Sequence, residues 1–275
     1  MTVNASPPQS NNSAQAWFDQ IKRQIQTATQ CTELRFENIS TDQGSLLLDS
    51  LSQDPDIERR NPRFSYNSFT KVLNVLIMPT NVHNVHQQWI HEENMRMALS
   101  GFLNAAEALG LKTGVGTTIS DFTGQYTGSR KDPDFLIHYD SVLMPSIAIE
   151  SGWTESLPRL HGDMCMWLVG GLPAVQVVIV LCWTKTIETP VHRVKGIFEV
   201  WERDAGNTPY LKQSGAIFPV PANAATQVIP ITRAQLFGPA HVFPGRNGAD
   251  VWNLSVDILR TWASAEIVNM GFQPA

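Results

Sequence analysis

Cysteine is scarce in this chain: 275 residues hold three, Cys31, Cys165 and Cys182. An odd, sparse set supplies no disulfide framework. Cys165 and Cys182 lie in apolar stretches, where a thiol serves as a small core residue. Charge is scarce too. Charged residues make up 16%, and 20 Lys+Arg face 25 Asp+Glu, a formal net charge of −5. Nucleic-acid affinity comes mostly from phosphate neutralisation, so this balance gives no global attraction to a polyanion. Any such site has to be a local basic patch. Long hydrophobic runs are also missing. The longest, Val175 to Trp183, contains Gln176 and falls short of the roughly 20 apolar residues that span a bilayer. The opening residues MTVNASPPQSNNSAQ lack the apolar segment of a secretory signal. The expectation is an intracellular protein, cytoplasmic or nuclear, without a membrane segment. No GxSxG elbow, P-loop, GxGxxG fingerprint or HExxH pattern occurs, so the common serine-hydrolase, nucleotide-binding and zinc-protease signatures are absent.

What is present is enough to fold. Apolar residues reach 43%, which suits a sizeable core. The Ser/Asn/Pro/Gln-rich residues 1–14 predict a disordered tail, and residues 15–275 a single domain. Trp17, Phe18, Ile21 and Ile25 recur at helical spacing. Residues 39–64 read as a polar loop punctuated by Pro55 and Pro62, carrying the basic cluster Arg59, Arg60 and Arg63. Residues 72–78 read as a buried strand. A long helix is expected over 85–109, with Trp89, Leu99, Leu103 and Ala106 on one stripe and Gly110 as its stop. Glu92 and Arg96 interrupt that stripe, with Glu93 beside it; buried charges of this kind must be paired or used. Strands are expected near 114–122, 134–139 and 146–152, a helix over 157–168, and a central strand buried on both faces over 175–184. Residues 194–202 suit a further strand, 216–220 an extended stretch and 251–265 a helix.

The chemistry concentrates on two acids. Lys131-Asp132-Pro133-Asp134 leads into Phe135-Leu136-Ile137, and sixteen residues after Asp134 the apolar strand Ile147-Ala148-Ile149 ends in Glu150. Adjacent strands can bring an acid at the head of one close to an acid at the tail of the other. Such a pair is a hard oxygen site for Mg²⁺ or Mn²⁺. Asp134 after Pro133 equally suits a turn residue, and Glu150 equally suits a structural pair with Lys131 or Arg130. Asp163 reads as a surface or buffering acid. His83 and His86 are three apart, but His91 is off their face, which speaks against a zinc site.

The segments DPDFLIHY, PSIAIESGW and LPRLHGDMCMWL, followed by VQVVIVLCWTK, resemble the PD-(D/E)XK nuclease superfamily, and within it fungal proteins of unassigned role that carry such a domain. The likeness covers about residues 85–185. It implies an α/β protein with a restriction-endonuclease-like αβββαβ core, a mixed central sheet flanked by helices. It also implies a Mg²⁺-dependent endonuclease activity on DNA or RNA. Asp134 matches the Asp of the motif and Glu150 its second acid, both as metal ligands and catalytic residues. Glu93 or Glu92 matches the further acid on the first core helix. The motif would set a lysine at position 152, where this chain has Gly152. Lys185, at the end of the 175–184 strand, is the candidate replacement; His161 and Arg159 are alternatives. Arg130, Lys131 and Arg159 are the candidate phosphate-facing patch. The competing expectation is a protein that kept the fold, lost the chemistry and acts by binding.

Overall fold

The computed structural model describes residues 13–140, 142–153, 156–188 and 191–275. The expected disordered tail falls almost wholly outside them. Of its last two residues, Ser13 caps the first helix and Ala14 begins it. The chain divides into two compact units, one formed by the residues up to Thr80 with Gly116–Pro133, the other by Asn81–Val115 with Asp134–Ala275.

The first unit contains the helices α1 (Ala14–Thr27), α2 (Thr41–Ser52) and α3 (Pro55–Glu58), and the strands β1 (Thr32–Phe36), β2 (Arg63–Asn67) and β3 (Val72–Ile77). The excursion Gly116–Pro133 adds the short strand β5 (Arg130–Lys131). The four strands form one antiparallel sheet in the order β1-β3-β2-β5. Residues 39–64 are thus two helices and the start of a strand, not the expected loop. Ser40 and Gln43 cap each other reciprocally at the head of α2, and Leu47, Leu48 and Leu51 bury its inner face. The prolines that suggested a loop occupy places a helix tolerates: Pro55 opens α3 behind the Asp54 cap.

The second unit begins with α4 (Val85–Leu99), α5 (Ala105–Gly110) and β4 (Leu111–Gly114). It continues with β6 (Phe135–Tyr139), β7 (Ile147–Trp153), α6 (Leu157–Cys165) and one π turn, Met166–Gly170. The long strands β8 (Val177–Glu188), β9 (Val191–Arg203) and β10 (Pro209–Phe218) follow, then β11 (Val228–Thr232), α7 (Arg233–Phe237), β12 (Val251–Ser255), α8 (Val256–Asn269) and β13 (Gln273–Pro274). Its main sheet runs β10-β9-β8-β7-β6-β4, with β13 alongside β9; β11 and β12 pair separately. The β7–β8 and β13–β9 pairs are parallel and the rest antiparallel. This is a mixed α/β unit with a mixed sheet flanked by helices. Val177 to Trp183 are almost wholly buried, as the uninterrupted apolar run requires.

Three element boundaries depart from expectation. The long helix breaks after Leu99, because Asn104 and Glu107 form a new capping box that starts α5. Leu99 is consequently 84% exposed rather than on the buried stripe, which runs through Val85, Trp89, Glu93 and Met97. Residues 115–122 are not a strand of the main sheet; only Ile119 makes a bridge, to Lys131. Residues 251–255 pair as β12, and α8 begins after them because the Ser255 hydroxyl caps the Ile258 amide.

Candidate functional site

Asp134 stands at the head of β6 and Glu150 inside β7. Phe135 pairs with Ile149, so the register carried one residue further sets the two acids opposite each other. Asp134 Oδ2 accepts the Ser151 amide at 2.8 Å and lies 3.5 Å from His83 Nε2. His86 Nε2 lies 3.1 Å from the Asp134 carbonyl oxygen and meets the Phe135 ring edge-on. The histidines considered for zinc therefore bracket Asp134, whereas His91 is exposed. Glu150 Oε1 accepts the Trp167 indole N–H at 2.7 Å. Asp134 is 3% exposed and Glu150 0%. The π turn that carries Trp167 directly follows α6; such turns recur at functional sites.

Position 152 explains why no lysine stands there. A Cβ on Gly152 would meet Ser156 Cβ at 3.1 Å, Leu160 Cδ1 at 3.2 Å and Arg159 Nη2 at 3.3 Å. Helix α6 lies so close to β7 that only glycine fits without displacing it. The Arg159 guanidinium is one of three groups crowded against that position, with Ser156 and Leu160 nearer. Arg159 Nη1 donates to Asp163 Oδ2 at 2.8 Å, and Asp163, expected at the surface, is 3% exposed. The (i, i+4) spacing that joins these two was legible in the sequence; that the pair would be buried was not.

Register also brings in a residue that sequence reasoning missed. Glu150 pairs with Val180 and Val180 with Glu199, so Glu150 and Glu199 share one row and one face of the sheet. Glu199 Oε2 accepts from the Trp201 indole at 2.8 Å and is 2.8 Å from His161 Nε2.

Lys185 does not join the acids. It sits five residues beyond Val180, about 16 Å along the strand, and by strand parity it projects from the opposite face. Its ammonium lies 4.4 Å from the Trp153 ring centroid and 5.1 Å from that of Phe272. Glu93 is two turns down α4 from His86, about 10 Å. Its carboxylate accepts the Trp252 indole at 2.9 Å and the Ser255 amide at 2.8 Å, tying α4 to the head of α8. Burial raises the Glu93 pKa above the ordinary carboxylate value. Glu92 accepts the Trp262 indole at 2.9 Å. Both carboxylates are committed to α8 and β12 rather than to Asp134 or Glu150.

The expected basic patch is not an open surface. Arg130 is ion-paired with Asp49, Lys131 is 2% exposed, and Arg159 holds Asp163. Arg59 pairs with Asp56, and Arg60 donates to the Gln26 carbonyl at 2.8 Å. Arg63 lies on β2. Among the described residues no three His, Cys, Asp or Glu side chains are grouped as a metal site. Register sets two carboxylates, Asp134 and Glu150, opposite each other; Mg²⁺ is commonly bound through one or two carboxylates, with waters and a substrate phosphate completing its shell. Among the described residues no helix is long and apolar enough to cross a membrane. No protein-family model, curated protein or solved structure matches this chain.

Proposed function

We propose that the second unit carries a metal-dependent phosphodiesterase site of the PD-(D/E)XK kind, acting on DNA or RNA. Asp134 and Glu150 are its metal-holding acids, and Arg159 stands in for the motif lysine. The observation that carries this reading is Gly152, where α6 packs on β7 and sets Ser156, Leu160 and the Arg159 guanidinium within 3.3 Å of where a Cβ would stand. The order α4, β4, β6, β7, α6, β8 supports it, as does the register that sets Asp134 opposite Glu150. A divalent ion held by Asp134 and Glu150 would supply an acidified water and charge stabilisation at the phosphorus. The guanidinium stays charged at any working pH, so it can orient a phosphate oxygen or stabilise developing charge, but it cannot take a proton from water. A second reading, a nuclease-like fold that binds without cleaving, is favoured by one observation: each acid already accepts a structural N–H and is almost fully buried.

The test is Mn²⁺-dependent cleavage of plasmid, single-stranded DNA and RNA, with Mn²⁺ calorimetry in parallel. Wild type, Asp134→Asn, Glu150→Gln, Arg159→Leu and Lys185→Ala are compared. Cleavage lost in the first three variants and kept in Lys185→Ala supports the proposal. Mn²⁺ binding equal in wild type and Asp134→Asn, or no cleavage by folded wild type under any divalent ion, overturns it in favour of binding alone.

A further inference from the structure

The face of the main sheet that carries Glu150 does not end under α6. Extending the register from the Glu150–Val180–Glu199 row, the same face continues through Cys182 and Ile197, Thr184 and Lys195, and Thr186 and Arg193. Exposure along β9 alternates cleanly: Val194, Gly196, Phe198 and Val200 are buried, while Arg193, Lys195 and Ile197 face solvent. Helix α6 covers the Glu150 end, where Trp167 reaches Glu150 and His161 reaches Glu199. Beyond it Ile197, Lys195 and Arg193 reach solvent along β9, while Cys182 of β8 stays buried. Ile197 is 40% exposed, and among the described residues neither Arg193 nor Lys195 has an ion-pair partner. They are two exposed cations one strand repeat apart on the same face of β9. The acid on this face, Glu199, is already held by His161 and Trp201.

From this geometry we infer that the open face of the β8–β9 hairpin is a docking surface for the phosphates of a polynucleotide, with Arg193 and Lys195 as its contacts and Ile197 as the apolar step between them and the site. The inference rests on the phosphodiesterase reading above and extends it to the path of the substrate. Arg193 and Lys195 are one strand repeat apart, about 6.6 Å. Lys195 lies about 13 Å and Arg193 about 20 Å along β9 from the Glu199 row. A strand laid along this face toward the Glu150 end crosses two unpaired cations before it reaches α6. The contacts are to phosphate, so they position the chain without reading bases.

The measurement is salt-dependent binding of fluorescent 20-nucleotide single-stranded DNA, single-stranded RNA and duplex DNA, by anisotropy in the absence of divalent ions. Arg193→Glu/Lys195→Glu is compared with wild type and with Arg23→Glu/Lys112→Glu, which changes the net charge equally at two other exposed positions. The expected result is at least a tenfold loss of affinity in the first variant alone. Its log-affinity against log-salt slope falls by about 1.4 to 1.8, the value for two lost phosphate contacts. Equal losses in both double variants, no change in slope, or no wild-type binding at low salt overturns the inference. So does the same loss confined to phosphatidylserine vesicles, which would assign the face to a lipid surface. Glu150→Gln separates the two claims. If it binds like wild type and does not cleave, both stand. If wild type binds through Arg193 and Lys195 but never cleaves, the phosphodiesterase reading fails and the docking surface remains. Cleavage with unaltered binding in the charge-reversal variant sinks the docking surface alone.

Discussion

Replacing Trp167 by phenylalanine tests whether the tie between α6 and β7 is what holds Glu150 in place. The indole N–H donates to Glu150 Oε1 at 2.7 Å, and both side chains are fully buried. A hydrogen bond to a charged acceptor contributes about 1.5–3 kcal/mol. Shrinking indole to phenyl in a tight core adds about 1 kcal/mol for the cavity. The sum is about 3 kcal/mol, or roughly 6–12 °C in the melting temperature of a unit this size. Denaturant unfolding followed by circular dichroism should show a lower midpoint with an unchanged slope. The cause is isolated by a double-mutant cycle with Glu150→Gln, which keeps an acceptor oxygen. The two changes should couple by about 1–2 kcal/mol rather than add. A Trp167→Phe variant within about 0.5 kcal/mol of wild type, or strict additivity in the cycle, would refute the claim that this bond supports the acid.

Three further outcomes follow from buried polar groups and close packing. Gly44→Ala sets helix propensity against space: the new methyl would lie 2.4 Å from the buried Tyr66 ring, so a loss of about 1–3 kcal/mol is expected, and a gain of about 0.5–1 kcal/mol, as propensity alone gives, would show that the ring moves aside freely. Arg260→Ala strips the buried guanidinium from the Ala216, Ile217 and Ala224 carbonyls and from Gln227. It should cost about 3 kcal/mol or more by thermal unfolding and should not be rescued by lysine, which lacks the planar fork. Burial raises the Glu93 pKa, so the folded state holds its proton more tightly than the unfolded chain. Its contribution to stability is complete below the ordinary carboxylate pKa and is lost as pH rises through the raised folded value. Glu93→Gln should flatten that part of the stability–pH curve, and the Trp252 indole ¹⁵N resonance should titrate in wild type above the ordinary carboxylate range; a titration at the ordinary value contradicts it.

Sequence by itself determined the elements whose burial pattern is strong and local. The run from Val175 to Trp183 can only be satisfied by a strand covered on both faces, and β8 is one. The helix signals at Trp17, Ile21 and Ile25 are a local amphipathic stripe, and α1 follows them. The strand character of the segments around Asp134 and Glu150 was likewise legible, but β7 runs on to Trp153 rather than ending at Glu150. Tertiary structure decided the rest. Which face Lys185 occupies relative to Glu150 depends on the parallel β7–β8 register, which no local signal encodes, and that register turns the lysine toward Trp153 and Phe272. That Glu93 ties α4 to the head of α8 depends on Trp252 and Ser255, more than 150 residues downstream. Glu199 reaches the Glu150 row only through two strand pairings. The fate of position 152 was set by how closely α6 packs on β7. Long-range pairing and packing distance are properties of contacts between distant segments, and a single sequence carries the residues for them without the geometry.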